Sequence, residues 1–504
     1  MDNFYIYLSI FLTLYVLTKH FLSKLQNLPP SPYPSLPIIG HLYLLKKPLH
    51  RTFSQFSNRH GPTLLFHFGS RPVIVVSSPS LAEECFTKND IVFANRPRLI
   101  IGKHLGYNYS SLAWAPYGDH WRNLRRISSL HLLSTHRLQT LSSIRADEVK
   151  SLIRFLSSKQ NQMVDMRQSF FELVLNAMMR MIAGKRYYGE TDADSEEAKR
   201  FREIQVETFT LSNTPNLGDF IPIMKWIGPK RTEKRLTELH MKRDGFMQNL
   251  IEEHRKTLAI DDSSETQGRK KNMIEVLLSL QKTEPEYYKD EMIRALMLVL
   301  LLAGTDSSVN TMEWALSLLL NHPKVLRKAQ AKIDNIMGQN RLINESDLAH
   351  LPYIRGIISE TLRMYPPGPL LMPHESSQDC TVGGYWVPGG TMLFVNLWAM
   401  QNDPKTWVDP GEFKPERFGG CEGMRDGFRF MPFGIGRRGC PGEGLAMSIV
   451  GLALGSLIQC FEWDKIGEEM VDMKERSGLN FTKDQPLYAK CRLRPSKVKV
   501  ISEI

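Results

Sequence analysis

Cysteine is scarce in this sequence: Cys85, Cys380, Cys421, Cys440, Cys460 and Cys491 are the six among 504 residues. So few and so widely spaced, they exclude the disulfide framework that staples small secreted domains. No C-x-x-C pair and no H-E-x-x-H occurs, so zinc chemistry has little support. Internal repeats are lacking, and so is any long run of one charge. Lys and Arg outnumber Asp and Glu by 64 to 53, a formal charge of +11. These charges are scattered, with no aromatic-basic repeat, so nucleic acid is not an expected partner. The basic balance suits an anionic membrane surface or an acidic protein. A second membrane span is lacking too: the apolar run Ala295 to Ala303 covers nine residues, where a bilayer needs about 20.

What is present begins with a first span. Phe4 to Thr18 is apolar and extends to Leu22 across Lys19 and His20. Asp2 stands where a signal peptide carries positive charge, and no small-x-small cleavage site follows, so residues 1–22 are expected to be a retained transmembrane anchor. Lys19 and Lys24 then place the following domain in the cytosol, leaving the sequons at Asn108, Asn344 and Asn480 unmodified. Residues 23–42 form a basic, proline-rich hinge in which Pro29, Pro30, Pro32, Pro34 and Pro37 stiffen an extended arm. Residues 43–504 are expected to form one catalytic body, mainly α with a minor β region. Its β parts are the runs 63–69 and 73–79, separated by Ser70-Arg71-Pro72, and short pieces over 384–396. The polar stretch 256–272 reads as a surface loop. Residues 291–320 read as one helix, apolar on all sides at its centre and hence threaded through the core.

The chemistry concentrates in Phe433-Gly434-Ile435-Gly436-Arg437-Arg438-Gly439-Cys440-Pro441-Gly442. A cysteine thiolate can be an axial ligand of haem iron, where it favours O–O cleavage. A Gly-rich loop running into a helix N-terminus can hold such a thiolate with backbone donors, and glycines let the chain pass close to a flat macrocycle. Arg438 is placed to pair with a propionate. The same segment contains G-x-G-x-x-G at Gly434, Gly436 and Gly439. A dinucleotide site would need a strand before it and a helix opening directly, yet Cys440-Pro441 intervenes and no βαβ alternation surrounds it. Glu360 and Arg363 share a helix face, Pro415-Glu416-Arg417-Phe418 follows, and Trp121 and Arg125 stand one helical turn apart.

With the cysteine loop, these patterns resemble the cytochrome P-450 superfamily over nearly the whole chain. LPPSP, AGTDSS and PFGIGRRGCPGEGLA resemble plant A-type members, most of all family 81. The resemblance implies the cytochrome P-450 fold with an N-terminal anchor helix, and haem b as cofactor with Cys440 as iron ligand. Phe433, Trp121, Arg125, His374 and Arg438 would bind the haem, and Glu360, Arg363 and Arg417 would form a structural network behind it. It assigns oxygen chemistry to Gly304, Asp306 and Ser307: Gly304 as room for dioxygen and substrate, Asp306 as the link to bulk protons, Ser307 as the assisting hydroxyl. The usual residue at the last position is Thr, so Ser307 keeps the hydroxyl but loses the methyl that fixes its rotamer. Pocket residues implied by family analogy are Ile100, Ile101, Leu105, Leu370, Leu371 and Phe481. The expected activity is an NADPH- and O2-dependent monooxygenation of a hydrophobic plant metabolite, triterpenoid or isoflavonoid/lignan-type phenolic, at the endoplasmic reticulum membrane. Electrons would come from NADPH through a separate flavoprotein reductase. Two alternatives are a haem-thiolate isomerase or dehydratase working without reductase, and a non-catalytic haem-binding membrane protein.

Overall fold

An acidic pair, Asp290 and Glu291, opens the helix Asp290–Asn321 that organises the molecule, its charges favourable at the positive helix end. Leu, Met and Ala stand on every side of its first half, and most of that half is buried, although Val299, Leu300 and Leu302 are half-buried and Ala303 is exposed. It lies against helices Met166–Ala183, Lys230–Ile260, Pro352–Met364 and Glu443–Cys460. Helices Asp290–Asn321 and Glu443–Cys460 are long and apolar enough to cross a membrane, yet are 61% and 72% buried within the protein, which makes them core. The computed structural model describes residues 2–189, 195–214, 216–224, 230–260, 271–338, 340–419, 427–478 and 480–503.

Helix Asp2–Leu25 contrasts with these: it is apolar, and its candidate membrane span, Phe4–Leu25, is wholly unburied. It runs three residues past the expected anchor boundary. The proline arm after it is docked rather than free. Leu65 N donates to Pro30 O and Trp386 N to Asn27 O, Gly40 bridges to Phe68, and Pro29 and Pro32 are buried.

The expected runs 63–69 and 73–79 pair as strands, with one shift, while strands Val164–Asp165, Tyr488–Leu493 and Phe461–Lys465 form, in that order, a second sheet that the sequence patterns do not single out. Strands Thr63–Phe68, Arg71–Val76, Met392–Val395 and His374–Glu375 form a sheet in that spatial order. The second strand starts at Arg71 and includes Pro72, read from sequence as part of the turn. Its parallel partner pairs only from Val73↔Met392 onward, so the missing N–H of Pro72 costs that ladder nothing. Residues 256–260 belong to the preceding helix; most of the expected loop, 261–270, and Cys421 lie outside the described residues.

Candidate active site

Cys440 sits in a loop of tight turns closed by Cys440 N donating to Phe433 O (2.8 Å) and Gly439 N to Gly436 O (3.0 Å). Gly434 (φ +67°) and Gly436 (φ +76°) take left-handed conformations. A Cβ on Gly436 would stand 2.5 Å from Asp90 Oδ1, which accepts from Arg437 N and braces the loop. No strand precedes this loop among the described residues, and helix Glu443–Cys460 starts only after Cys440-Pro441. That geometry removes the dinucleotide alternative. Of the five described cysteines Cys440 alone is exposed. Its Sγ accepts from Gly442 N (3.3 Å) at the helix start. Surrounding protein still desolvates the sulfur and pushes the thiol up, against the Gly442 N–H and Arg125 guanidinium that favour the thiolate.

Beside the loop lies a concentration of cations. Arg438 stacks on Trp121 (4.4 Å) and donates to Ala94 O (2.6 Å), Leu112 O (3.3 Å) and Ala115 O. Arg125 donates to Gly439 O. Arg96 donates to Met372 O and Pro373 O, while its Nε is buried without a partner. His374 Nδ1 is bonded to Phe93 O (2.7 Å). Burial holds Arg438 down to about 10, helped by Arg125, and burial also lowers Arg96 well below its usual range, helped by Arg438. The same burial, with Arg96 and Arg438, drives the His374 imidazole well below its usual range. No carboxylate pairs with Arg96, Arg125 or Arg438 among the described residues. A group bringing two carboxylates and an iron that takes a thiolate fits this donor set, and haem is such a group.

Arg96 is a residue the sequence patterns do not single out. It lies in the loop Asn95-Arg96-Pro97 with no spacing that ties it to Cys440, and only its burial beside Arg438 marks it. Trp121 differs from expectation in one respect: its indole N–H is spent on Leu112 O (3.1 Å), so it serves Arg438 through its ring face.

On helix Pro352–Met364, Glu360 and Arg363 pair through two bonds (2.7 and 2.8 Å), both fully buried. Arg417 Nε and Lys414 N donate to Glu360 Oε1 (3.2 and 3.1 Å), and Arg363 also donates to Gln401 O and Pro410 O. Every lone pair and N–H so engaged offsets the desolvation of a buried ion pair.

On the central helix, Asp306 accepts from Asn480 Nδ2. Burial raises the Asp306 carboxyl, against the Asn480 amide and Arg167. Ser307 Oγ donates to Ala303 O (2.8 Å). At Gly304 an added Cβ would meet Met178 Cε at 3.0 Å, the flexible end of a side chain on helix Met166–Ala183. The six expected pocket residues pack into separate clusters. Ile100, Ile101 and Leu105 join the main core, Leu370 the cluster of Phe53 and Phe394, and Leu371 that of Phe86. Phe481, 1% exposed, is enclosed by His50, Trp314 and Tyr365.

The family model described as Cytochrome P450 matches residues 29–491. The chain is 50% identical to Cytochrome P450 81Q32 of Catharanthus roseus, covering 98% of this chain and 97% of the other. It is 48% identical to the (+)-piperitol/(+)-sesamin synthase of Sesamum radiatum (96% and 94% covered). Identity is 47% to an isoflavone 3'-hydroxylase of Medicago truncatula, with 97% of each covered. Among solved structures, a zebra fish cytochrome P450 with progesterone superposes with a TM-score of 0.76 at 26% identity, over 88% of this chain and 100% of that one.

Proposed function

The chain belongs to the cytochrome P450 family and is a haem-thiolate monooxygenase; from that premise we propose that it hydroxylates a hydrophobic plant specialised metabolite of the isoflavonoid or lignan type. Relatives named for isoflavone hydroxylation and for piperitol and sesamin synthesis, each nearly half identical over almost the whole chain, support that substrate class. The observation that carries the reading is the accessible Cys440 beside three arginines that no carboxylate neutralises among the described residues.

Bound haem would supply oxygen activation, its iron held by Cys440. Arg96, Arg125 and Arg438 would hold the propionates, with Trp121 keeping the Arg438 guanidinium flat and His374 closing the far side. Gly442 N–H directs a partial positive charge at the sulfur, which favours the thiolate. The Glu360–Arg363–Arg417 network would fix the segment behind the loop and so the loop's position. Asp306, raised by burial and within reach of the Asn480 amide, is suited to take and pass protons, and Ser307 supplies a hydroxyl one residue on. Electrons would arrive from NADPH through a separate flavoprotein reductase. Helix Asp2–Leu25 would hold the protein to the endoplasmic reticulum with its body in the cytosol.

The test is reconstitution with a plant NADPH-dependent flavoprotein reductase in vesicles, offering isoflavones and furofuran lignans. The expected product is heavier by one oxygen atom, or ring-closed with loss of two hydrogens, and forms only with NADPH and dioxygen. Product formation without NADPH would favour an isomerase and overturn the proposal.

A further inference from the structure

Arg145, Arg243 and Arg363 are the arginines among the largest fully buried side chains. Arg145 is clamped by Glu345 and Arg363 by Glu360. Arg243 has no such partner: no hydrogen bond or carboxylate meets it among the described residues, and its Nη1 is buried and unsatisfied. Burial pulls its guanidinium down to about 10, with only the Tyr107 phenol opposing. A buried cation lacking an anion is costly, by several kcal/mol in real proteins, so its retention asks for an occupant.

The surroundings narrow what that occupant is. Arg243 lies on helix Lys230–Ile260 three residues from His240, so the two share a face. His240 Nδ1 is also buried without a partner. The His240 ring meets Tyr107 edge-on at 4.8 Å. Asp244, the next residue along the helix, turns Oδ1 to other partners: it accepts from Tyr107 Oη (2.7 Å) and from Arg294 Nε (2.5 Å). Tyr107 has φ +52° and is followed by Asn108 at +48° and Tyr109 at +64°. Three consecutive non-glycine residues in the left-handed region are strained, by roughly 1–2 kcal/mol each, and that turn delivers Tyr107 to the helix. Leu105 and Ile101, pocket residues implied by the family resemblance, lie just before it in the chain.

We propose that Arg243, with His240 and Tyr107, is the polar end of the substrate site and takes an anionic oxygen, a carboxylate or an acidic phenol, of an otherwise apolar molecule. This deepens the proposed function and rests on it: an acidic phenolic would be gripped at one end while its apolar body extends along Leu105. The guanidinium supplies charge-assisted donors, and His240 Nδ1 a further polar atom at the same face.

The experiment uses the full-length haem-loaded enzyme in vesicles and equilibrium dialysis, which reads binding without turnover. Probes are matched pairs: dodecanoate against dodecanol, and an isoflavone with a free acidic phenol against its methyl ether. The wild type should prefer the acidic member of at least one pair. Arg243→Met should weaken that member roughly 10- to 100-fold, as for a lost bond to a charged group, and leave the neutral member within about twofold. Arg243→Lys should restore part of the preference. Thermal melting of ligand-free Arg243→Met should be no lower than wild type, because an unpaired cation is being removed. Equal affinity within every pair, no binding by either acid, or a lower melting temperature for Arg243→Met would overturn the proposal. A thiolate-type carbon monoxide spectrum and turnover in the same preparation report separately on the proposed function, so the two can fail independently.

Discussion

Asn480 reaches across 174 residues of sequence to donate its side-chain amide to Asp306 Oδ2, tying the loop before the C-terminal strand to the middle of the central helix. Burial is the larger influence on Asp306 and raises its carboxyl above the usual range, while the Asn480 amide pulls it down. Folding therefore favours protonated Asp306, and stability is lost as pH rises through the raised value. Asn has no such titration. Asp306→Asn should melt progressively higher than wild type as pH rises from the acid range to neutrality, with the gap closing on acidification. Turnover should fall by about 10²–10⁴-fold, the usual worth of a general acid–base step. A melting difference that ignores pH would show that the carboxylate is not strained by burial.

The Glu360–Arg363 network gives a stability prediction. Glu360→Ala leaves Arg363 buried and without its carboxylate, which should cost about 3–5 kcal/mol. By contrast Arg122→Ala, which removes an exposed pair with Asp119, should stay within about 1 kcal/mol. Urea unfolding of the two variants checks both, and similar losses would mean the buried network is no more than a surface pair in its effect.

Arg96 separates stability from cofactor retention. Its guanidinium has a buried unsatisfied Nε and a cationic neighbour in Arg438. Arg96→Leu should make the haem-free protein melt no lower than wild type, since a repelled charge is gone. In the haem-loaded protein it should speed haem transfer to an acceptor globin by roughly tenfold or more, as expected for a lost charge-assisted bond. Unchanged transfer would remove Arg96 from the propionate-binding set.

These cases also mark how far the sequence could be read. Contiguous patterns were legible: the cysteine loop, the Glu360/Arg363 spacing and the all-apolar helix each put their chemistry within a few residues. Pairings set by tertiary approach were not. Asp306 finds Asn480, Arg96 finds Arg438 and Gly304 finds Met178 only after helices pack, and no periodicity encodes those distances. Asn480 was visible only as part of a sequon, and its side chain is spent inside the protein. The docking of the proline arm through Pro30 O and Asn27 O depends on strands far along the chain.

Helix Asp2–Leu25, the proposed anchor, has a candidate span that is not buried against the body. Deleting residues 2–25 should leave a folded, haem-binding body that alkaline carbonate strips from membranes more completely than the full chain. Equal resistance to extraction would place the main attachment elsewhere on the surface.

Ser307 gives the last prediction. Its hydroxyl proton is donated to Ala303 O at 2.8 Å, one turn back along the helix, so its oxygen lone pairs remain to accept a bond from a proton-carrying water or substrate. Such back-bonding is common for Ser and Thr within helices, and a rotation about χ1 frees the proton for transfer. Serine, having only one heavy atom on Cβ beyond Cα, also lets the hydroxyl swing away from the relay position, whereas threonine's added methyl restricts it to fewer rotamers and so holds it there. Ser307→Thr should therefore keep turnover and raise the fraction of NADPH that ends in product. Ser307→Ala keeps the helix and the space but removes both acceptor and donor, so haem and substrate binding should persist while reductant is diverted to hydrogen peroxide. Product and peroxide per NADPH, measured together for the three proteins, give the answer. If Ser307→Ala couples as well as wild type, the hydroxyl is not the proton donor, and Asp306 must act through water alone.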